Sequence, residues 1–380
     1  MRRRVSALPS RIRPFSRSRE ALPRAFALSG PRGVGKTTFL LHRSLGQKML
    51  YLSADNPLLA RDGLFDIGKA IFMAGYAGLI VDEVHFARDW SNHLKALYDD
   101  FPEQRLWISD SSSLALRSGV GDLSRRFVPI AMPLQSFREY LFVTSGVELP
   151  ACDPFADDPS LPVEPTPDLL AAFRAYRARG TRPFSEEGDF EERLLAVLDK
   201  TLYSDIPFFL PNVTDGNLRL MKAIVGTLAE ASIPRLQVRS LCADWGIGAD
   251  KLYHLLDVME SVGLLRLLRV EGDTKAKSVG AKLFFYDPAF YEILHGNPGT
   301  AREALVATLS AEAGWTVEAT RDEMQGDFVI SRNEAGGRRR LAIEVGGSSK
   351  HIKSADRVVR DDMDYPGGKA IPLWLLGMAY

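Results

Sequence analysis

Eight consecutive residues, Gly30-Pro31-Arg32-Gly33-Val34-Gly35-Lys36-Thr37, fit G-x-x-x-x-G-K-[ST] at every fixed position. The chemistry of that spacing is phosphate binding. Backbone N–H groups of residues 33 to 37 would point at a β-phosphate, helped by the positive end of a helix dipole. Lys36 would reach the β- and γ-oxygens, and the Thr37 hydroxyl would ligate Mg²⁺. ATP and Mg²⁺ are therefore the expected ligands. The residues expected to line the nucleotide are Gly30, Pro31, Arg32, Gly33, Val34, Gly35, Lys36, Thr37 and Thr38.

A phosphate loop used for hydrolysis needs carboxylates opposite it. "YAGLIVDE", residues 76 to 83, is an apolar run ending in two acids. In such folds this strand is expected beside the loop's own strand. Asp82 would then hold Mg²⁺ through water, with Thr37 as the second metal position, and Glu83 would polarise the attacking water. "RLWISDSSSLAL", residues 105 to 116, reads as a further central strand. Ser109 or Ser111 at its end could sense the γ-phosphate, although serines after a strand also serve as helix N-caps. Arg125 and Arg126 precede another apolar run, where an arginine finger or a solvated pair are the two readings.

The elements that must position these residues are legible in the same stretch. "RAFALSG" suits a buried parallel strand, and "KTTFLLHRSLG" has helical spacing with Gly46 as C-cap. Strand, glycine loop and helix thus come in the order a phosphate loop requires.

The succession GPRGVGKTT, "YLSADNP", "LIVDEVHFARDW", "ISDSSSL", "LSRR" and "PLQSFREYL" resembles the prokaryotic AAA-type ATPases of the archaeal-ATPase-like group. The resemblance implies a Walker B pair at Asp82 and Glu83 and the family arginine at Arg126, so the expected catalytic set is Glu83, Lys36 and Arg126. Two positions depart from the pattern. Asp110 replaces the glycine of a GSS strand end, and Ser124 replaces the glycine before the arginine. Asp110 would bring a negative charge near the phosphates.

The bulk composition narrows the classes. The chain of 380 residues is long enough for two or three domains, with 46% hydrophobic and 25% charged residues. Its net charge of zero gives no global field toward nucleic acid. Cys152 and Cys242 lie far apart, without zinc spacing or a disulfide framework. No apolar run approaches the roughly 20 residues a bilayer span needs, so a cytoplasmic protein without membrane contact is expected. The basic start, residues 1–20, reads as a segment packing on or floating near the nucleotide core, with a phosphate-backbone contact as the sharper alternative.

After the nucleotide domain, placed at 21–145, the Pro- and acid-rich stretch 146–190 reads as a lid or linker. Residues 191–275 read as helices followed by a winged-helix segment, where "DWGIGAD" separates two helices and "GLLRLLRV" begins a wing. Lys251, Tyr253 and His254 are the plausible DNA contacts, with acids beside them, so a packing or partner-binding role comes first. The module 276–380 resembles the PD-(D/E)xK nuclease core in its order: a helix beginning near Arg302 and Glu303, a strand 327 to 331, a basic Gly-rich turn, and a strand 340 to 345. Asp327, Glu344 and Glu303 would be its acids. Gly346 stands where that core places its lysine, and Lys350 is the nearest substitute, so the module is expected to be degenerate.

The expected fold class is α/β: a P-loop NTPase parallel sheet with helices on both faces, then the winged helix, then the nuclease-like module. The expected function is Mg²⁺-dependent ATP hydrolysis driving a switch toward a protein partner or a homo-oligomer. A DNA-associated ATPase and an ATP-gated nuclease are the alternatives.

Overall fold

In a computed structural model, the structure describes residues 2–56, 63–111, 123–210, 213–232, 235, 237–273, 280–347 and 354–380. The chain forms two compact units, Met1–Pro133 and Leu134–Tyr380.

The first unit is built on β1 (Ala25–Ser29), β2 (Met49–Ser53), β3 (Gly78–Asp82), β4 (Arg105–Asp110) and β5 (Val128–Ala131), all parallel, in the order β2-β3-β4-β1-β5. The central strands are unbroken apolar runs because both faces are covered. On one face Ala25, Ala27, Leu79, Val81, Leu106 and Ile108 pack with side chains of α3 (Leu64–Met73) and α4 (Trp90–Asp100). On the other, Phe26 meets Trp107 and Phe39, the latter on α2 (Lys36–Arg43). One expectation needs correcting. β3 does not lie beside β1, because β4 is hydrogen-bonded between them. The acidic strand end still reaches the loop, since the C-terminal ends of all these strands lie along one edge of the parallel sheet.

The basic N-terminal segment packs on this unit. α1 (Arg2–Ser6) and a 3₁₀ turn at Pro14–Arg17 lead into it. Phe15 stacks near Phe39, and Arg43 donates to the carbonyls of Ser16 and Glu20. Arg13 is 3% exposed, and its guanidinium donates to the carbonyls of Val34 and Pro133, both at 2.9 Å.

The second unit starts earlier than the boundary expected at 145/146. A capping box of Ser136 and Glu139 opens the helix Phe137–Ser145. Phe137 and Tyr140 of that helix pack on Tyr176, and Phe137 also meets Phe173. Residues 146–190 accordingly belong to this unit's core, where Phe155 and Tyr176 are buried. After the helices Phe190–Lys200 and Ile206–Phe209 come three more, Asp215–Glu230, Val238–Trp245 and Ala249–Ser261. β6 (Leu265–Leu268) then pairs antiparallel with β7 (Lys282–Phe285). Residues 274–279, between these two strands, lie outside the described residues.

The last sheet has the order β12-β11-β10-β9-β8, formed by β8 (Thr316–Ala319), β9 (Phe328–Glu334), β10 (Gly337–Gly346), β11 (Arg357–Arg360) and β12 (Ala370–Pro372). The helix Pro298–Glu312 packs against β8 and β10. It begins before Arg302 because Asn297 caps it, accepting from the N–H groups of Gly299 and Thr300. The hairpin is also longer than expected. The arginines placed in a broad turn stand on paired strands, Arg332 opposite Arg339. Asp153 and Glu334 both pair with the two guanidiniums, which lie against the Trp315 ring, so two acids offset the like charges that face each other across the ladder.

Candidate nucleotide site

The loop after β1 wraps the start of α2. Gly35 caps that helix with φ 103°, a left-handed conformation that glycine adopts without steric cost. A Cβ at Gly30 would collide with the carbonyl oxygen of Met132. Pro31 and Val34 are buried in the loop, and Val34 carries the carbonyl that Arg13 binds. Thr38 follows on the first turn of α2. The Lys36 ammonium donates to the carbonyls of Gly30 at 2.7 Å and Pro31 at 3.1 Å. Burial pushes Lys36 below the ordinary lysine range, with Glu83 and Asp82 pulling the other way.

Asp82 collects hydroxyls. Thr37 Oγ1 donates to its Oδ2 at 2.6 Å, Tyr51 from β2 donates to the same oxygen at 2.7 Å, and buried Ser109 donates to Oδ1. Burial and the Asp82 charge push the Tyr51 phenol above the usual tyrosine range. Tyr51 had no sequence signal beyond its place on a strand. Carboxylate and hydroxyl oxygens together form a hard donor set that fits Mg²⁺, with Asp82 and Thr37 as the residues to hold it.

Glu83 follows Asp82 with φ 53°, a backbone conformation costing a non-glycine residue roughly 1–2 kcal/mol. Its carboxylate pairs with Arg32 at 3.2 Å and accepts from Ser111 at 3.1 Å. Asp110 does not add a bare charge. Its Oδ2 accepts from the backbone N–H of His85 at 3.1 Å and lies 2.7 Å from the ring Nδ1. Glu83, His85 and Asp110 bring ligand-type atoms within 4.8 Å of one another.

Lys36, Thr37, Asp82, Glu83 and Ser109 therefore share one edge of the sheet, together with Arg32 and Ser111. Arg126 does not join them. Phe26 is in register with Val128, so Arg126 lies at the N-terminal edge of the sheet. There it makes two hydrogen bonds to Asp99, at 2.9 and 2.8 Å.

Comparison with known proteins adds the family of this site. Residues 23–141 match the family model described as AAA domain. With the site geometry, the match marks this stretch as an AAA-like P-loop ATPase domain. An uncharacterized protein of Methanocaldococcus jannaschii is 27% identical over 268 residues, 63% of this chain and 55% of its own length. The chain thus spans about half the length of that relative. The Walker-type ATPase of Pyrococcus abyssi is similar over 72% of this chain and 91% of its own, at TM-score 0.43 and 13% identity. The Hsp104–ADP complex of S. cerevisiae is similar over 69% of this chain and 38% of its own, at TM-score 0.30 and 16% identity. No helix among the described residues is long and apolar enough to cross a membrane.

The second unit holds another charged cluster. Asp327 stands one residue before β9 and donates its N–H to the carbonyl of Ile343 at 2.8 Å, and Glu344 follows Ile343 on β10. Asp327 Oδ2 accepts from the N–H of Val345 at 2.9 Å. Among the described residues, Lys282 from β7 brings a cation to these acids, 2.7 Å from Glu303 and 3.2 Å from Asp327. Gly346 ends β10, and Lys350 lies outside the described residues. Lys251 and His254 are exposed on the helix Ala249–Ser261 and Tyr253 is half-buried, with Asp250, Asp257 and Glu260 on the same helix.

Proposed function

We propose that the AAA domain hydrolyses ATP with Mg²⁺ held at Thr37 and Asp82, and that the cycle works as a switch toward a protein partner or a second copy of the chain. The observation that carries this reading is the convergence of Thr37, Tyr51 and Ser109 on Asp82, one residue before Glu83. When bound, Mg²⁺ supplies positive charge to phosphate oxygens. Lys36 leaves the Gly30 and Pro31 carbonyls for the β- and γ-oxygens, and backbone N–H groups of residues 33 to 37 hold the rest of the phosphate chain. Glu83 takes a proton from the water that attacks the γ-phosphorus, and the bond to the ADP oxygen breaks. Ser109 and Ser111 touch Asp82 and Glu83, which suits residues that register whether the γ-phosphate is present.

The switch reading draws support from two contacts that a triphosphate would disturb. Lys36 is tied to its own loop, and Arg32 of that loop is tied to Glu83. Arg126, directed away from this chain's own loop, would serve as a finger only for the nucleotide of a neighbouring copy. The three helices and the β6–β7 pair are a candidate winged helix for partner binding, and the last sheet is a candidate non-catalytic relative of the nuclease core.

ATP binding and turnover, measured with and without DNA beside the Lys36→Ala protein, test the proposal. Lys36→Ala should lose most ATP affinity, because it removes the ammonium aimed at the phosphates. Binding equal to the unmutated protein would refute the loop's role, and DNA-stimulated, salt-sensitive turnover would favour a DNA-associated ATPase.

A further inference from the structure

A carboxylate at the end of β4 needs a reason. Asp110 is fully buried and sits on the edge of the sheet where phosphates would bind. Facing them, it would oppose ATP binding. Its geometry instead directs it at the residue two places after Glu83. One oxygen, Oδ2, takes both the backbone N–H and the ring Nδ1 of His85, and both side chains are completely buried. An ionised carboxylate only accepts, so the imidazole must carry its hydrogen on Nδ1.

The register explains why this pair matters for Glu83. β3 and β4 run parallel with Val81 beside Ile108, so Asp110, two residues on, comes level with Glu83. The chain turns sharply there. Glu83 is left-handed, and a 3₁₀ turn spans Val84–Phe86. A corner of this kind persists only when its surroundings hold it. Asp110 fastens the corner from the neighbouring strand, at His85. The ring lies on Phe86, with centroids 4.0 Å apart, and its Nδ1 stands 3.9 Å from Glu83 Oε2.

We infer that His85 and Asp110 act as one unit that positions Glu83: Asp110 fixes the corner through His85, and His85 keeps the Asp110 charge turned away from the nucleotide. Neither residue touches substrate, so both are positioning residues. The inference rests on Glu83 being the base of the ATPase.

Two substitutions separate hydrogen bonding from packing. His85→Phe keeps a ring against Phe86 and loses the donor. His85→Asn loses the ring and keeps an N–H near the Nδ1 position. Turnover and the affinity for a fluorescent ATP analogue are measured separately, with Lys36→Ala as the binding control. His85→Phe should lower kcat by about 10-fold or more, as for a displaced general base. His85→Asn should stay within about 3-fold of the unmutated kcat, which a purely packing role for the ring would not allow. His85→Phe should also weaken ATP binding, because the Asp110 carboxylate loses its ring donor. The double change His85→Phe with Asp110→Ala should recover that affinity but not kcat, a non-additive result expected of a coupled pair. The reverse order, an active Phe variant and a slow Asn variant, would overturn the inference while leaving the ATPase intact. So would equal turnover in all the position-85 variants. An unmutated protein that binds ATP but never turns it over would sink the hydrolysis reading and this inference with it.

Discussion

Lys282 and Asp327 meet across 45 residues of sequence, with their charged atoms 3.2 Å apart, and Glu303 takes the same ammonium at 2.7 Å. One buried cation thus serves two carboxylates from different elements. Removing one partner of a buried ion pair costs about 3–5 kcal/mol. Lys282→Met should lower the melting temperature of the second unit by roughly 6 °C or more, at the usual 2–4 °C per kcal/mol for a unit of this size. Adding Glu303→Gln and Asp327→Asn to that protein should recover part of the loss. Calorimetry of the three proteins checks it, and an unchanged Lys282→Met melt would show that the cluster contributes nothing.

The two acids after β3 should separate by function. Glu83→Gln should keep ATP bound and slow hydrolysis by about 100-fold or more, as for loss of a general base. Asp82→Asn should instead weaken Mg²⁺-dependent nucleotide binding, because it alters the carboxylate that three hydroxyls address. Single-turnover hydrolysis and Mg²⁺ titration distinguish the two effects. Normal hydrolysis by Glu83→Gln would move the water-orienting role to another residue.

Cys152 gives a pH prediction. Burial, then the nearby Asp153 charge, push its thiol from 9.0 up to about 11, with Arg138 opposing. At pH 8 its thiolate fraction should be about 100-fold below that of an ordinary cysteine, so alkylation should be correspondingly slow. The sign for stability follows by linkage. The unfolded thiol ionises from pH 9.0 while the folded one holds its proton to about 11. The contribution is therefore present below pH 9.0 and is lost as pH rises through about 11. Mass spectrometry after iodoacetamide pulses at increasing pH measures the first effect. Full alkylation of Cys152 at pH 8, at the rate of a free cysteine, would contradict it.

The acid cluster of the second unit should not cut DNA with Mg²⁺ or Mn²⁺. Its lysine comes from β7 and bridges two of the acids, and β10 offers glycine at position 346. Linear and supercoiled DNA, incubated with and without ATP, provide the assay. Cleavage that disappears in Glu344→Ala would show a working nuclease.

Local constraint decided what was legible in the sequence. The phosphate loop reads directly because its glycines, lysine and threonine perform their roles within eight residues. The strand ending at Asp82 reads because a strand buried on both faces must be an apolar run. Three parts could not be read, each for a physical reason. Tyr51 contacts Asp82 from β2, three strands away from β1, and nothing in "MLYLS" distinguishes it from a packing tyrosine. His85 does not stand out beside the acids, because its partner Asp110 arrives 25 residues later on a different strand. Lys282 carries no sign of its role in the sequence, because the acids that claim it follow 21 and 45 residues on. The hairpin reads too short for a related reason: the arginine run looks like a turn until Asp153 and Trp315 are seen to support it on paired strands.

The hold of Gly30 and Pro31 on Lys36 makes the loop a competitor for its own lysine. Phosphate oxygens must displace two carbonyls before they gain the ammonium, so measured affinity reports an exchange and not a simple addition. Ligands with few phosphate oxygens gain least from that exchange. The protein should therefore discriminate against adenosine and AMP by more than their missing charges alone would give, with a selectivity set by the resting contacts of the loop as much as by those of the bound one.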